Sequence, residues 1–162
     1  MFSESGDSPI DGESYDGVKV YASWGEGFDY FQSVLESLGG EFDTLAVWLG
    51  CNDAANGGSF SETYGQVYDE LIEDDKKIVI FNVGRTEDQY LVPGDEGYAN
   101  ANMIAYNESM ESWANERDNV TYINAYSESL GWALNSEDGI HYRPRPTTNI
   151  WDFIKRGILK AK

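Results

Sequence analysis

Residues 44–53 read TLAVWLGCND, a six-residue run that suits a buried strand, followed by four residues that suit a turn. An apolar run without alternation is typical of a strand covered on both faces, as in a parallel sheet. Residues 77–83 repeat the pattern, and residues 120–124 give a shorter form of it. Because parallel strands need long crossover connections, the segments between these strands are expected to contain helices.

Helical spacing of apolar residues appears between the predicted strands. The predicted helices are residues 28–38, residues 61–73 with Ser61 as the N-cap, residues 99–116 and residues 148–159. A further strand is predicted at residues 18–22. Right-handed crossovers then predict an α/β fold, a three-layer α/β/α sandwich with a parallel, flavodoxin-like sheet of about five strands. Residues 1–162 have the length of one domain.

Composition limits the partners. The chain has 11 Lys and Arg against 29 Asp and Glu, for a net charge of −18. Such a surface repels phosphate backbones and anionic lipid headgroups, so neither nucleic acid nor a membrane is an expected partner. Cys51 is the single cysteine, which leaves no intrachain disulfide and no Cys-rich zinc site. We expect no cofactor and no metal, and a small-molecule substrate that is neutral or cationic.

The ends of the sequence bear on location. No apolar run approaches the ~20 residues that a membrane-spanning helix needs. Residues 1–7 lack the basic and apolar regions of a signal peptide. The abrupt start suggests an excised domain, for which we expect an extracellular or cell-surface location, with a cytoplasmic one as the alternative. The sequence does not indicate an oligomeric state.

Four segments combine glycines with polar residues. They are Gly6-Asp7-Ser8-x-x-x-Gly12, Trp24-Gly25-Glu26-Gly27, Gly50-x-Asn52-Asp53 and Asp138-x-x-His141. Each has a structural explanation when taken alone, because such residues also form turns and helix caps. Two of them directly follow predicted strands, however, and ligands of parallel sheets bind beyond the carboxyl ends of the strands. Their joint order along the chain therefore favours a functional site.

His141 is the only histidine in the sequence. A serine hydroxyl is a poor nucleophile until a base removes its proton, and His141 is the only imidazole that could do so. It lies three residues after Asp138. A lone histidine is also common on protein surfaces and in cores. A catalytic role for His141 is therefore expected only in combination with the other segments.

In this order the segments resemble the four blocks of the SGNH hydrolase superfamily, the GDSL-type esterases. The resemblance implies that Ser8 is the nucleophile, that His141 is the general base and that Asp138 orients the imidazole. It also implies an oxyanion hole made by the backbone N–H groups of Ser8 and Gly25 and the side chain of Asn52. The implied reaction is hydrolysis of an ester to remove a small acyl group, acetyl first, from a carbohydrate or similar alcohol.

The first block is shorter than the pattern suggests. Five residues precede Gly6 and nine lie between Ser8 and Val18, whereas a parallel crossover needs about a dozen or more. We therefore expect a first strand that is short or vestigial, with Ser5 and Ser3 as weaker candidates for the nucleophile. The alternative function is a catalytically inactive SGNH-like module that binds a glycan or a partner protein.

Two other features have competing explanations. Arg143 and Arg145 follow His141, and they either neutralise acidic neighbours or bind a substrate carboxylate. The acidic residues between positions 69 and 75 are interpreted as a solvated helix end, not a metal site. A flavodoxin-like cofactor binder is a third hypothesis, and no Gly-rich phosphate loop follows the first strand to support it.

Overall fold

The computed structural model describes residues 14–15, 18–23, 25–131, 135–143 and 147–160. The strands are β1 (Ser14–Tyr15), β2 (Val18–Lys19), β3 (Thr44–Val47), β4 (Lys77–Phe81), β5 (Val120–Ile123), β6 (Asn135–Ser136) and β7 (Tyr142–Arg143). The helices are α1 (Phe28–Leu38), α2 (Cys51–Ala55), α3 (Tyr64–Glu73), α4 (Asn100–Asn115), α5 (Ala125–Leu130) and α6 (Thr147–Lys160). Two 3₁₀ turns, Asp88–Tyr90 and Glu96–Tyr98, lie between β4 and α4.

A parallel sheet in the order β3-β4-β5 is the centre of the fold. The β3–β4 register runs from Thr44 opposite Lys77 to Val47 opposite Ile80, and β5 pairs with the other edge of β4. The four residues after Lys77 in β4 are at most 1% exposed. This confirms the predicted α/β class, the parallel pairing of the three apolar runs and the burial of β4. β3 is less buried than predicted, since Thr44 and Ala46 are exposed.

Alternate residues of β4 contact different helices because successive side chains of a strand point to opposite faces. Ile78 and Ile80 lie in one core cluster together with residues of α1, α3 and α4. Val79 and Phe81 lie in a second cluster with Phe153 of α6. Helices therefore contribute apolar side chains to both faces of the central strand.

The sheet of the described residues is smaller than predicted. Three parallel strands are present there, and about five were expected. Residues 18–22 do not extend this sheet, since β2 pairs antiparallel with β1. A second antiparallel pair, β6 with β7, flanks the Asp138–His141 segment. No helix in the described ranges is both long and apolar enough to cross a membrane.

The start of α3 also differs from the prediction. The helix begins at Tyr64, so Ser61 as the N-cap is wrong. The preceding residues form a turn around Phe60, which is 1% exposed and whose carbonyl accepts a bond from the Gly65 N–H. Burial of this ring holds the chain in the turn and delays the helix.

Candidate active site

A cleft of about 550 Å³ opens beyond the carboxyl ends of β3 and β4. The segments after these two strands form much of its wall, from Trp48 to Asn52 and from Val83 to Thr86. Gly25 and Glu26 add a second side, and the segment that contains Asp138 and His141 adds a third. Four predicted site residues thus share one cleft: Gly25, Asn52, Asp138 and His141.

The Asp138–His141 turn is closed by three hydrogen bonds to one carboxylate. Asp138 Oδ1 accepts from the backbone N–H groups of Ile140 and His141, at 2.9 and 2.8 Å. Asp138 Oδ2 lies 2.7 Å from His141 Nδ1. The first two bonds fix the carboxylate relative to the backbone, so the third fixes the imidazole ring.

These hydrogen bonds determine the charge of Asp138 and the tautomer of a neutral His141. Burial alone would raise the pKa of Asp138, but the two backbone N–H groups and the His141 ring more than offset it and lower the pKa to about 2. The carboxylate is therefore ionised near neutral pH and can only accept hydrogen bonds. When the imidazole is neutral, its proton accordingly sits on Nδ1 and leaves Nε2 unprotonated, which is the tautomer that a general base needs.

Gly139 lets this turn pack against the loop after β4. Its φ of +81° is a conformation that favours glycine. A Cβ at this position would lie 2.7 Å from the Glu87 carbonyl oxygen and 2.9 Å from the Leu91 side chain. The Glu87 N–H donates to the Gly139 carbonyl at 2.8 Å. The turn that carries His141 is thus held against a neighbouring loop by backbone contacts.

Asn107 of α4 holds the start of that loop. Its side-chain amide accepts from the Val83 N–H and donates to the Val83 carbonyl, both at 2.8 Å, and Asn107 is 6% exposed. The loop then brings Arg85 and Thr86 to the cleft. The Arg85 guanidinium lies 3.2 Å from the Glu87 carboxylate.

Asn52 joins two segments that are far apart in sequence. It lies in the first turn of α2, and its Nδ2 donates to the Glu26 carbonyl at 3.0 Å. Its Oδ1 accepts from the Tyr98 hydroxyl at 2.9 Å. Gly25, with a φ of +74°, is exposed and directly precedes Glu26. The Asn52 amide is therefore fixed next to the segment that contains Gly25.

Asp53 is the next residue of α2, and its carboxylate contacts α1 and α3. Its Oδ1 accepts from the Phe28 N–H at the start of α1, at 3.1 Å, and its Oδ2 accepts from the Tyr64 hydroxyl at 3.0 Å. Burial, and then the Asp53 charge, raise the pKa of Tyr64, which keeps the hydroxyl protonated as a donor. Asp53 thus ties α1 and α3 to α2.

Cys51 also lines the cleft. Burial raises the pKa of its thiol to about 12, and the Asp53 carboxylate adds to the rise. The thiol is therefore protonated near neutral pH and a poor nucleophile. Within the described ranges, no group of three or more His, Cys, Asp and Glu side chains has a metal-binding arrangement.

Ser8, the predicted nucleophile, lies outside the described part of the chain, as do Ser3, Ser5 and Arg145. Arg143 is in β7, where its backbone is opposite Asn135, but its side chain is outside the description. The roles of Ser8 and Arg143 remain predictions.

Several residues that line the cleft were not predicted from the sequence. Arg85 and Thr86 follow a predicted strand, so the same strand-end rule would have found them. Tyr98 and Asp95 lie in the long connection before α4, where no spacing or motif marks them. No protein-family model matches this chain, and no curated protein matches it.

Proposed function

We propose that this chain is a serine ester hydrolase of the SGNH type, which removes a small acyl group, acetyl first, from a carbohydrate or similar alcohol. The observation that carries the proposal is the 2.7 Å contact between His141 Nδ1 and the Asp138 carboxylate, at a cleft that Asn52 also lines. An imidazole that is oriented by a carboxylate, in a cleft that also contains an amide donor, is a constellation that supports acyl transfer.

In the first step, the Ser8 hydroxyl oxygen attacks the carbonyl carbon of the ester. His141 Nε2 takes the hydroxyl proton, and the ionised Asp138 stabilises the resulting imidazolium. The carbonyl oxygen becomes an oxyanion that accepts hydrogen bonds from the Ser8 and Gly25 N–H groups and the Asn52 amide.

In the second step, the C–O bond to the alcohol breaks and His141 returns its proton to the alcohol oxygen. The acyl group is then an ester of Ser8. A water molecule attacks this ester as His141 takes its proton, and that proton then passes to the Ser8 oxygen as the bond between it and the acyl carbon breaks, which releases the carboxylic acid and the free serine. No metal or cofactor enters either step.

The cleft suits a small polar substrate. Its volume of about 550 Å³ lies toward the small end of the range for small-molecule sites. Trp48 and Tyr98 offer aromatic surface, whereas Asn56, Arg85 and Asp95 offer polar groups. Flat aromatic surface combined with hydrogen-bonding groups fits a sugar better than a long aliphatic chain.

The proposal includes the complete fold, a three-layer α/β/α sandwich with a flavodoxin-like sheet of about five strands. The two core clusters on opposite faces of β4 support it.

The test compares the wild-type protein with His141→Ala on two substrates, 4-nitrophenyl acetate and an acetylated methyl glucoside. The second is needed because any exposed imidazole hydrolyses an activated ester slowly. We expect saturable acetate release from both substrates by the wild type, and a loss of at least about 10³-fold in His141→Ala. Tyr90→Ala, at an exposed position, serves as the control for the effect of removing a ring.

Equal rates for wild type and His141→Ala would contradict the proposal. So would a wild-type protein that is folded by circular dichroism and releases no acetate from either ester. Binding of an acetylated sugar without turnover would favour the inactive module instead.

A further inference from the structure

Tyr98 contacts Asn52 across 46 positions of sequence. It is the last residue of the 3₁₀ turn Glu96–Tyr98, and its hydroxyl lies 2.9 Å from Asn52 Oδ1. Both residues line the cleft. No family block contains Tyr98, and the mechanism described above does not use it.

Hydrogen-bond chemistry fixes which way the Asn52 amide faces. The Glu26 carbonyl can only accept, so the amide atom 3.0 Å from it must be the donor, Nδ2. The atom that faces Tyr98 is then Oδ1, and the Tyr98 hydroxyl must donate to it. The Glu26 carbonyl excludes the flipped amide, which would place two acceptors together there, and the Tyr98 hydroxyl adds a second bond to the orientation that remains.

We propose that Tyr98 is a positioning residue that locks the Asn52 amide with Nδ2 available to an oxyanion in the cleft. The inference rests on the proposed function. Nδ2 carries two N–H groups, and the Glu26 carbonyl occupies one of them. The second has no partner among the described residues, and it is the donor that the oxyanion would use.

Neighbouring groups keep the Tyr98 hydroxyl protonated and hold its 3₁₀ turn in place. Burial raises the pKa of its hydroxyl, and Cys51 and Asp95 add to the rise, so the hydroxyl stays a donor near neutral pH. The Tyr98 N–H donates to the Asp95 carbonyl at 2.9 Å, and Asn102 of α4 donates to the Gly97 carbonyl at 2.9 Å. The turn is therefore held by α4.

Without the Tyr98 hydroxyl, the Glu26 carbonyl alone would orient the amide. With one bond in place of two, the amide would rotate more freely, and Nδ2 would turn away from the cleft for part of the time. In those orientations the developing oxyanion would lose its donor. The penalty therefore falls on the transition state and leaves substrate binding nearly unchanged.

The kinetic test uses Tyr98→Phe, which removes one oxygen, and Tyr90→Phe as the matched control at an exposed position in the neighbouring 3₁₀ turn. We expect kcat to fall about tenfold in Tyr98→Phe with KM within twofold of wild type, and no change in Tyr90→Phe. Asn52→Ala should lower kcat by about 10²–10³-fold. In the double variant, with both Asn52→Ala and Tyr98→Phe, kcat should then be less than twofold below that of Asn52→Ala alone.

Three kinetic results would overturn the inference. One is a tenfold loss from Tyr98→Phe that persists in the Asn52→Ala background, because the residues would then act separately. Another is a change in KM alone, which would show that the Tyr98 hydroxyl binds substrate instead of positioning Asn52. The third is an unchanged kcat.

A measurement that does not depend on activity separates this inference from the proposed function. The Asn52 side-chain NH₂ signals can be assigned in ¹⁵N spectra by their loss in Asn52→Ala. In Tyr98→Phe they should shift and exchange faster with water, and in Tyr90→Phe they should stay in place. Unchanged signals in Tyr98→Phe would overturn the inference. Shifted signals in a protein that cleaves no ester would support the positioning of the amide and contradict the esterase.

Discussion

The two sides of the cleft are built in different ways. The bonds from the Asp138 carboxylate that orient His141 are local, since they join residues at most three positions apart. The Asn52 side is assembled from distant segments, with bonds that span 26 positions to Glu26 and 46 to Tyr98. The imidazole is therefore oriented within four consecutive residues, in a turn that the Glu87 N–H holds through the Gly139 carbonyl, whereas the orientation of the Asn52 amide depends on how distant segments pack.

This difference governs how a mutation should act. A change within the turn should alter the chemistry and leave the rest of the fold in place. A change at the contacts that bring α1, α2 and α3 together should lower stability as well, because the same bonds hold the helices.

Asp138→Asn should give the largest effect. An amide can donate to the ring and stabilise the wrong tautomer of His141, and it cannot stabilise the imidazolium. We expect kcat for an acetyl ester to fall by about 10⁴-fold, with circular dichroism unchanged. Asp74→Asn, which removes the same charge at the exposed end of α3, should leave kcat at the wild-type value.

A rate for Asp138→Asn close to that of the wild type would show that the turn is structural. The imidazole would then be a bystander, even though it contacts the carboxylate at 2.7 Å.

Asp53→Asn should act mainly on stability. One of its two side-chain positions would become an NH₂ group facing a donor, either the Phe28 N–H or the Tyr64 hydroxyl. The free energy of unfolding should fall by about 1–3 kcal/mol in urea titrations. Tyr64→Phe should cost less, and Asp29→Asn, an equal charge change at an exposed site of α1, should cost least. A loss for Asp29→Asn as large as that for Asp53→Asn would refute the assigned role of Asp53.

The sequence predicts the local side well and the assembled side poorly. β3, β4 and β5 follow directly from apolar runs, and α1 occupies the predicted residues 28–38. The pairing of Asp138 with His141 was implied by the resemblance of this segment to a family block, and the two side chains are in contact. Tyr98 could not be found in this way, because its role exists only once the 3₁₀ turn packs against α2.

The errors in the fold have the same origin. Ser61 was predicted as the helix start from its residue type, but burial of Phe60 moved the start to Tyr64. Residues 18–22 were predicted as a strand of the parallel sheet from their own composition. Their pairing partner, β1, was not visible in an apolar pattern, and β2 pairs with it in the antiparallel direction. Tertiary partners decided both cases.

The pH dependence of stability should give the smallest effect. The pKa of Asp138 falls from its ordinary value of 3.8 to about 2 in the folded protein. The ionised carboxylate therefore stabilises the fold above about pH 4, and this contribution is lost as the pH falls toward 2. The difference in unfolding free energy between wild type and Asp138→Asn should shrink as the pH falls from about 4 toward 2. A difference that does not change with pH would contradict the lowered pKa.

The central claim is that a serine and His141 act together in this cleft, and active-site labelling tests it most directly. A fluorophosphonate reacts covalently with a serine that a neighbouring base activates. We expect one label per chain, located on Ser8 by peptide mass spectrometry, no label in Ser8→Ala, and much slower labelling in His141→Ala. A label on Ser3 or Ser5 would contradict the assignment of Ser8, and a folded protein that takes up no label and cleaves no ester would contradict the serine hydrolase itself.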